Sequence, residues 1–105
     1  MWIILNNSFL SIVKNRNNEN ELLVRARVKG DIEKVFSNAK TFEDISADYK
    51  YRSYIKREDV ASAISKELIN IDYDNFKSSV SKDDNIRGNA YIAVWSALNK
   101  IQSWI

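Results

Sequence analysis

Two short apolar runs open the chain, residues 2–5 (WIIL) and residues 9–13 (FLSIV), with Asn6, Asn7 and Ser8 between them. Runs of this length, rich in β-branched and aromatic residues, predict two strands. Asn tolerates positive φ, so Asn6 and Asn7 suit the centre of a tight hairpin turn. That register pairs Ile4 with Phe9 and Ile3 with Leu10. Ile3, Leu5 and Leu10 then share one face, and Trp2, Ile4 and Phe9 share the other. A sheet with one wet face alternates apolar and polar residues instead. Either both faces of this hairpin are covered, or one of them is an interface.

After a polar loop at residues 15–20 (NRNNEN), the segment ELLVRARVK alternates cleanly. It places Leu22, Val24, Ala26 and Val28 on one face and Arg25, Arg27 and Lys29 on the other. The period then changes. Ile32, Val35, Phe36 and Ala39 recur at i, i+3, i+4 and i+7, the stripe of a short helix, with Asp31 as its cap. Residues 40–48 are polar and acidic and are expected to connect.

A fourth strand is expected over residues 49–55. Tyr49, Tyr51 and Ile55 should face the core, and Lys50, Arg52, Tyr54 and Lys56 the opposite side. Val60, Ala61, Ile64, Leu68 and Ile71 make a second amphipathic helix, with Glu58 and Asp59 at its positive end. Residues 72–80 (DYDNFKSSV) predict one helical turn directing Phe76 and Val80 inward. A shortened capping box at residues 81–84 opens a last long helix, whose stripe is Tyr91, Val94, Trp95, Leu98, Ile101 and Ile105. The order is β-β-β-α-β-α-α: a single α+β domain over residues 1–105, with a mostly antiparallel four-stranded sheet packed by about three helices.

Composition narrows the chemistry. The chain has 105 residues, 45 % hydrophobic and 29 % charged, the profile of a globular domain. It has no cysteine and no histidine. Disulfides, thiolate metal sites and the commonest general base are thereby removed. Proline is absent, and glycine occurs only at Gly30 and Gly88, so no glycine-rich phosphate loop exists. Asp72 and Asp74 have the spacing of a calcium loop, but Phe76 and Lys77 stand where a ligand and a glycine belong. Their simpler reading is helix capping. Catalysis would rest on Asp, Glu, Lys, Tyr or Arg, and no spacing singles out a pair. The expectation is no enzyme, no cofactor and no metal. The opening run lacks a basic flank and is broken by asparagines before it could span a membrane, so a cytoplasmic protein without membrane contact is expected.

Charge placement is more informative than net charge, which is only +2. Residues 49–57 (YKYRSYIKR) carry four cations and no acid, whereas residues 58–84 carry three cations and seven acids. If strands three and four are neighbours with matching faces, Arg25, Arg27, Lys29, Lys50, Arg52, Tyr54 and Lys56 lie on one surface. Such a surface would bind phosphates or an acidic protein. The plainer alternative is a solvated face whose cations pair with Glu19, Glu21, Glu43, Asp44 and Asp48. Trp95 reads as core. Trp2, Ile4, Phe9 and Trp104 are the candidate interface residues.

The segments MWIILNNSFLSIV, ELLVRARVKGDIEKVF, ADYKYRS, IDYDNFKSSV and AYIAVWSAL together resemble a set of small, uncharacterised bacterial and phage proteins of about this length. The resemblance implies a bacterial or phage origin. By analogy of size and type it points to inhibitors of host or defence machinery, anti-CRISPR proteins among them. The leading expectation is a non-catalytic protein-binding module. Homodimerisation through the N-terminal hairpin is one form of it, and nucleic-acid binding by the basic sheet face is the alternative.

Overall fold

The computed structural model describes residues 1–102, so Trp104 lies outside the described residues. Contacts gather into two units, Met1–Asp72 and Tyr73–Ile105. The fold is α+β, with one antiparallel sheet and four helices among the described residues.

The first unit contains the sheet. Strands β1 (Trp2–Leu5), β2 (Ser8–Lys14), β3 (Glu21–Ala26), β4 (Phe42–Glu43) and β5 (Tyr51–Lys56) lie in the spatial order β1-β2-β3-β5-β4. The hairpin has the expected register, Ile4 opposite Phe9 and Ile3 opposite Leu10. Its turn differs, because among the described residues no non-glycine residue has positive φ. Asn6 and Asn7 therefore turn with negative φ.

The sheet has five strands where four were expected. The extra one is β4, cut from the acidic connection and only two residues long. A pair of residues has no readable period, which is why the pattern missed it. Strand β3 also stops earlier than its alternation suggests, at Ala26. The chain turns over residues 27–30, with the Asp31 amide donating to the Val28 carbonyl at 3.2 Å. Gly30 at φ +94° provides the left-handed residue of that turn. Val28 consequently ends half exposed instead of joining the core.

Leu10, Ile12, Val24 and Ala26 line one face of the sheet, and helices α1 (Asp31–Val35) and α2 (Arg57–Ile69) pack on it. Ile32, Phe36 and Val60 come down from the helices to close the core. Leu10, Val24 and Ile32 are fully buried, each worth roughly 1.5–3 kcal/mol of transfer free energy. Asp31 does not cap α1. It is buried in the first turn, where its carboxylate accepts the Phe9 amide at 3.0 Å and lies 3.6 Å from the Lys34 ammonium. One acid thus ties the helix start to β2. The expected stripe of α2 is only partly used: Val60 is buried and Ile64 packs on the core, whereas Leu68 is exposed.

The second unit is helical. Asn75 caps α3 (Phe76–Ser79), its side chain accepting the Ser78 amide at 3.1 Å, so neither Asp72 nor Asp74 serves as the cap. Asp84 caps α4 (Asn85–Leu98) through the Arg87 amide and holds the Arg87 guanidinium at 2.9 Å. Phe76 stacks on Tyr91 at 5.9 Å, and Arg87 donates to the Tyr91 hydroxyl at 3.1 Å. Trp95 was expected inside; it is 53 % exposed, with the Lys77 ammonium 4.1 Å from its ring centroid. No helix among the described residues is long and apolar enough to cross a membrane.

Candidate functional site: an arginine and aromatic sheet face

Residues directly opposite across a sheet share a face. Applied to the registers, this gives one row across all five strands: Trp2, Ser11, Arg25, Arg52 and Phe42. The row lies on the face turned away from α1 and α2. At about 4.8 Å per strand step it is about 19 Å long. A tryptophan closes one end, a phenylalanine the other, and two arginines with a serine lie between. Beside it, Val13, Leu23 and Tyr54 form a second row on the same face, and Ile4 opposite Phe9 a third.

The two arginines are especially close. Met1 and Ile12 exchange both backbone hydrogen bonds, at 2.8 Å each. Counting by alternation from that pair, Arg25 directs its backbone towards β2. Arg25 and Arg52 are therefore a non-hydrogen-bonded pair, the kind whose side chains stand nearer each other. Like charges directly opposite are destabilising unless something neutralises them. No contact ion pair does so: among the described residues, no carboxylate comes within 4.0 Å of a cationic nitrogen of Arg25, Arg27, Lys29, Lys50, Arg52 or Lys56, and Asp44 acts on Arg52 only from beyond that distance. The pairing with local acids that would make this an ordinary solvated face is not present as contact ion pairs.

The arginines are instead held by neutral groups. Arg25 Nη2 donates to the buried Ser11 hydroxyl at 2.6 Å, and its Nε is buried with no hydrogen-bond partner. Arg27 Nη1 donates to the Asp48 carbonyl at 2.9 Å, and Arg52 Nη1 to the Tyr49 carbonyl at 3.2 Å. The Tyr49 ring lies against two of these arginines. The Arg25 and Arg27 guanidinium carbons lie 4.6 and 4.2 Å from its centroid, and Phe9 is 6.3 Å away. Tyr49 is buried, as alternation suggested, but under the arginines and not in the helix-covered core. Such cation–π contacts are worth about 0.5–2 kcal/mol and fix the arginines without cancelling their charge.

The loop before β5 is itself braced. Asp44 Oδ1 accepts the Ser46 hydroxyl at 2.6 Å and the Ser46 amide at 3.1 Å, while the Asp44 amide donates to the Lys50 carbonyl at 2.8 Å. The Ser46 hydroxyl first, the Ser46 amide next and the Arg52 charge after them hold the Asp44 carboxyl below its ordinary range. Asp48 Oδ1 accepts the Tyr49 amide at 2.8 Å, which sets the ring's approach.

The expected surface is thus assembled in part. Arg25 and Arg52 stand side by side, and Tyr54 shares their face. Arg27 lies past the strand end and joins them through Tyr49. Lys50 precedes β5, its ammonium 5.7 Å from the Tyr51 ring centroid. Lys56 is opposite Glu21, which offsets its charge. Lys29 is exposed in the turn beyond β3, away from the row. Of the candidate interface residues, Trp2 is 67 % exposed and edge-on to Phe9 at 5.8 Å. Ile4 and Phe9 are half-buried beside it.

Sequence reasoning missed Ser11, Phe42 and the placement of Tyr49. Ser11 lies inside a run that reads as an apolar strand, and Phe42 stands alone among polar and charged residues. Phe42 and Tyr54 are both exposed, with ring centroids 5.6 Å apart, so they form one aromatic ledge. No three acidic side chains converge at metal-holding distance among the described residues. Comparison with protein-family models, with curated proteins and with solved structures finds no match.

Proposed function

We propose that the chain is a non-catalytic binding protein and that the arginine row of the sheet holds a single-stranded nucleic acid. The observation that carries this is the Arg25–Arg52 pair, opposed across two strands without a carboxylate contact among the described residues and flanked by exposed aromatic rings. Phosphates would neutralise the arginines through charge-assisted hydrogen bonds. Bases would stack on Trp2 at one end and on the Phe42–Tyr54 ledge at the other. A single strand offers free base faces for such rings; a duplex does not. A net charge of only +2 argues for a short, local contact instead of a general affinity for polyanions.

A second reading rests on the apolar end of the same face, where Trp2, Ile4 and Phe9 cluster. It is an acidic protein partner, and an inhibitor of the phage anti-defence kind belongs to this class.

Fluorescence anisotropy with short labelled single-stranded DNA, single-stranded RNA and duplex separates these readings. Dissociation constants of 1–100 μM or tighter at low salt, as is ordinary for non-specific binding, are expected for single strands, with the duplex weaker. Removing either arginine should lower the salt slope by about 0.7. No binding below about 100 μM rejects the nucleic-acid reading and leaves the protein partner.

A further inference from the structure

Among the described residues, strand β1 is an edge strand, paired with β2 alone. Met1 and Ile12 exchange both backbone hydrogen bonds, so by alternation Ile3 and Leu5 also direct their amides and carbonyls to β2. Trp2 and Ile4 therefore point theirs outward, leaving two donors and two acceptors along the edge. Natural sheets blunt such edges with charge, proline or a bulge. Residues 2–5 (WIIL) have none of these, and their register with β2 is continuous. The opposite edge, β4, is two residues long, includes Glu43 and runs into Asp44. The two edges are managed in opposite ways.

We infer that β1 is a self-association edge and that its partner is β1 of a second copy of this chain, paired antiparallel about a two-fold axis at Ile3. The spacing favours a copy over any other strand. The bonding residues are two positions apart and symmetric about Ile3. Trp2 of one protomer then exchanges both backbone bonds with Ile4 of its partner, and Ile4 does the same with Trp2, for four bonds in all. No like charges meet, since the strand is uncharged along its length. On the helix side the two Ile3 side chains meet. Ile3 already lines an apolar groove with Ile12, Leu22, Ile64 and Leu68, of about 640 Å³, so their contact extends an existing apolar surface. On the other side each Trp2 ring gains the partner's Ile4 as a neighbour. An axis of this kind stands perpendicular to the sheet, so the arginine faces of both protomers point the same way. The sheet becomes ten strands wide, and the paired tryptophans mark its centre.

The test is light scattering coupled to size-exclusion chromatography, over about a hundredfold range of loading concentration, on the full chain without nucleic acid. The measured mass is expected to rise from monomer towards dimer as concentration rises. Ile4→Pro removes an outward amide and leaves the β1–β2 ladder intact, so circular dichroism should be unchanged. It deletes two of the four bonds and should weaken dimerisation about tenfold or more. Trp2→Lys places opposed charge on the edge and should act the same way. A strict monomer across the whole range overturns the inference. So does a dimer that both folded variants leave unchanged, because a different surface must then form it.

Discussion

The two faces of the sheet are built from the same five strands and obey opposite rules. On the helix side, Leu10, Ile12, Val24 and Ala26 meet Ile32, Phe36 and Val60 in a buried apolar cluster. On the other side, Ser11, Arg25 and Arg52 lie in line between Trp2 and Phe42, with no carboxylate among the described residues touching the arginines. The first arrangement lowers the free energy of the isolated chain by removing apolar area from water. The second opposes two like charges and leaves a buried guanidinium nitrogen without a partner. A chain selected only for stability has no use for that. On the proposed function, the folding work falls to one face and recognition to the other.

The largest effects should separate the faces at once. Leu10→Ala removes a fully buried side chain from the helix-covered face and should cost about 2–5 kcal/mol, read as a lower urea midpoint. If that variant stays within about 0.5 kcal/mol of the parent, the division of labour fails.

Next is Tyr49, which lies on the recognition side and is nonetheless buried. Tyr49→Ala withdraws the ring under Arg25 and Arg27 and should cost about 3 kcal/mol. Tyr49→Phe keeps the ring and should stay within about 0.5 kcal/mol of the parent, with oligonucleotide affinity retained. Equal losses from both substitutions would mean that the hydroxyl, not the ring, organises the arginines.

Arg25→Gln and Arg52→Gln should reverse the pattern seen for Leu10. Stability should change by less than about 1 kcal/mol, since relief of repulsion offsets the lost hydrogen bonds. Affinity for single strands should fall about tenfold for each, and the loss should shrink as salt is added. An unfolded variant with unchanged affinity per folded molecule would place these arginines in the structural class.

The smallest effect is electrostatic. The Asp44 carboxyl is held below its ordinary value of 3.8, chiefly by the Ser46 hydroxyl. A depressed folded-state value means that its contribution is present above the unfolded value and is lost as pH falls through the lowered one. Ser46→Ala should move the Asp44 titration, followed by carboxyl NMR, back up towards 3.8. An unmoved titration would show that Arg52 and the backbone amide suffice.

Much of the sheet was legible because alternation is a local property. The hairpin register, the two faces of β3 and the placement of Arg52 and Tyr54 all follow from counting by twos. Where the chain leaves the strand, counting stops being valid. Arg27, Val28 and Lys29 fall beyond Ala26, because the chain turns at Gly30 to start α1. Tyr49 precedes β5 and meets Arg25 and Arg27, which are tertiary contacts, beside a local hydrogen bond from its amide to the Asp48 carboxylate. Phe42 enters the row only through its pairing with Arg52. Trp95 misled for a different reason: helical periodicity identifies an apolar stripe without saying whether anything covers it, and this ring is exposed beside Lys77. The site was half visible because Arg25 and Arg52 sit on strands, while Tyr49, Asp48 and Arg27 lie outside them.

The most direct test of the division between the faces is a two-dimensional amide NMR titration of the labelled chain with a short single-stranded oligonucleotide at low salt. The account predicts shift changes concentrated at Trp2, Ser11, Arg25, Phe42, Arg52 and Tyr54, with the amides of α1 and α2 unmoved. Changes centred on Val60, Ile64 and Leu68, or none at saturating oligonucleotide, would contradict it.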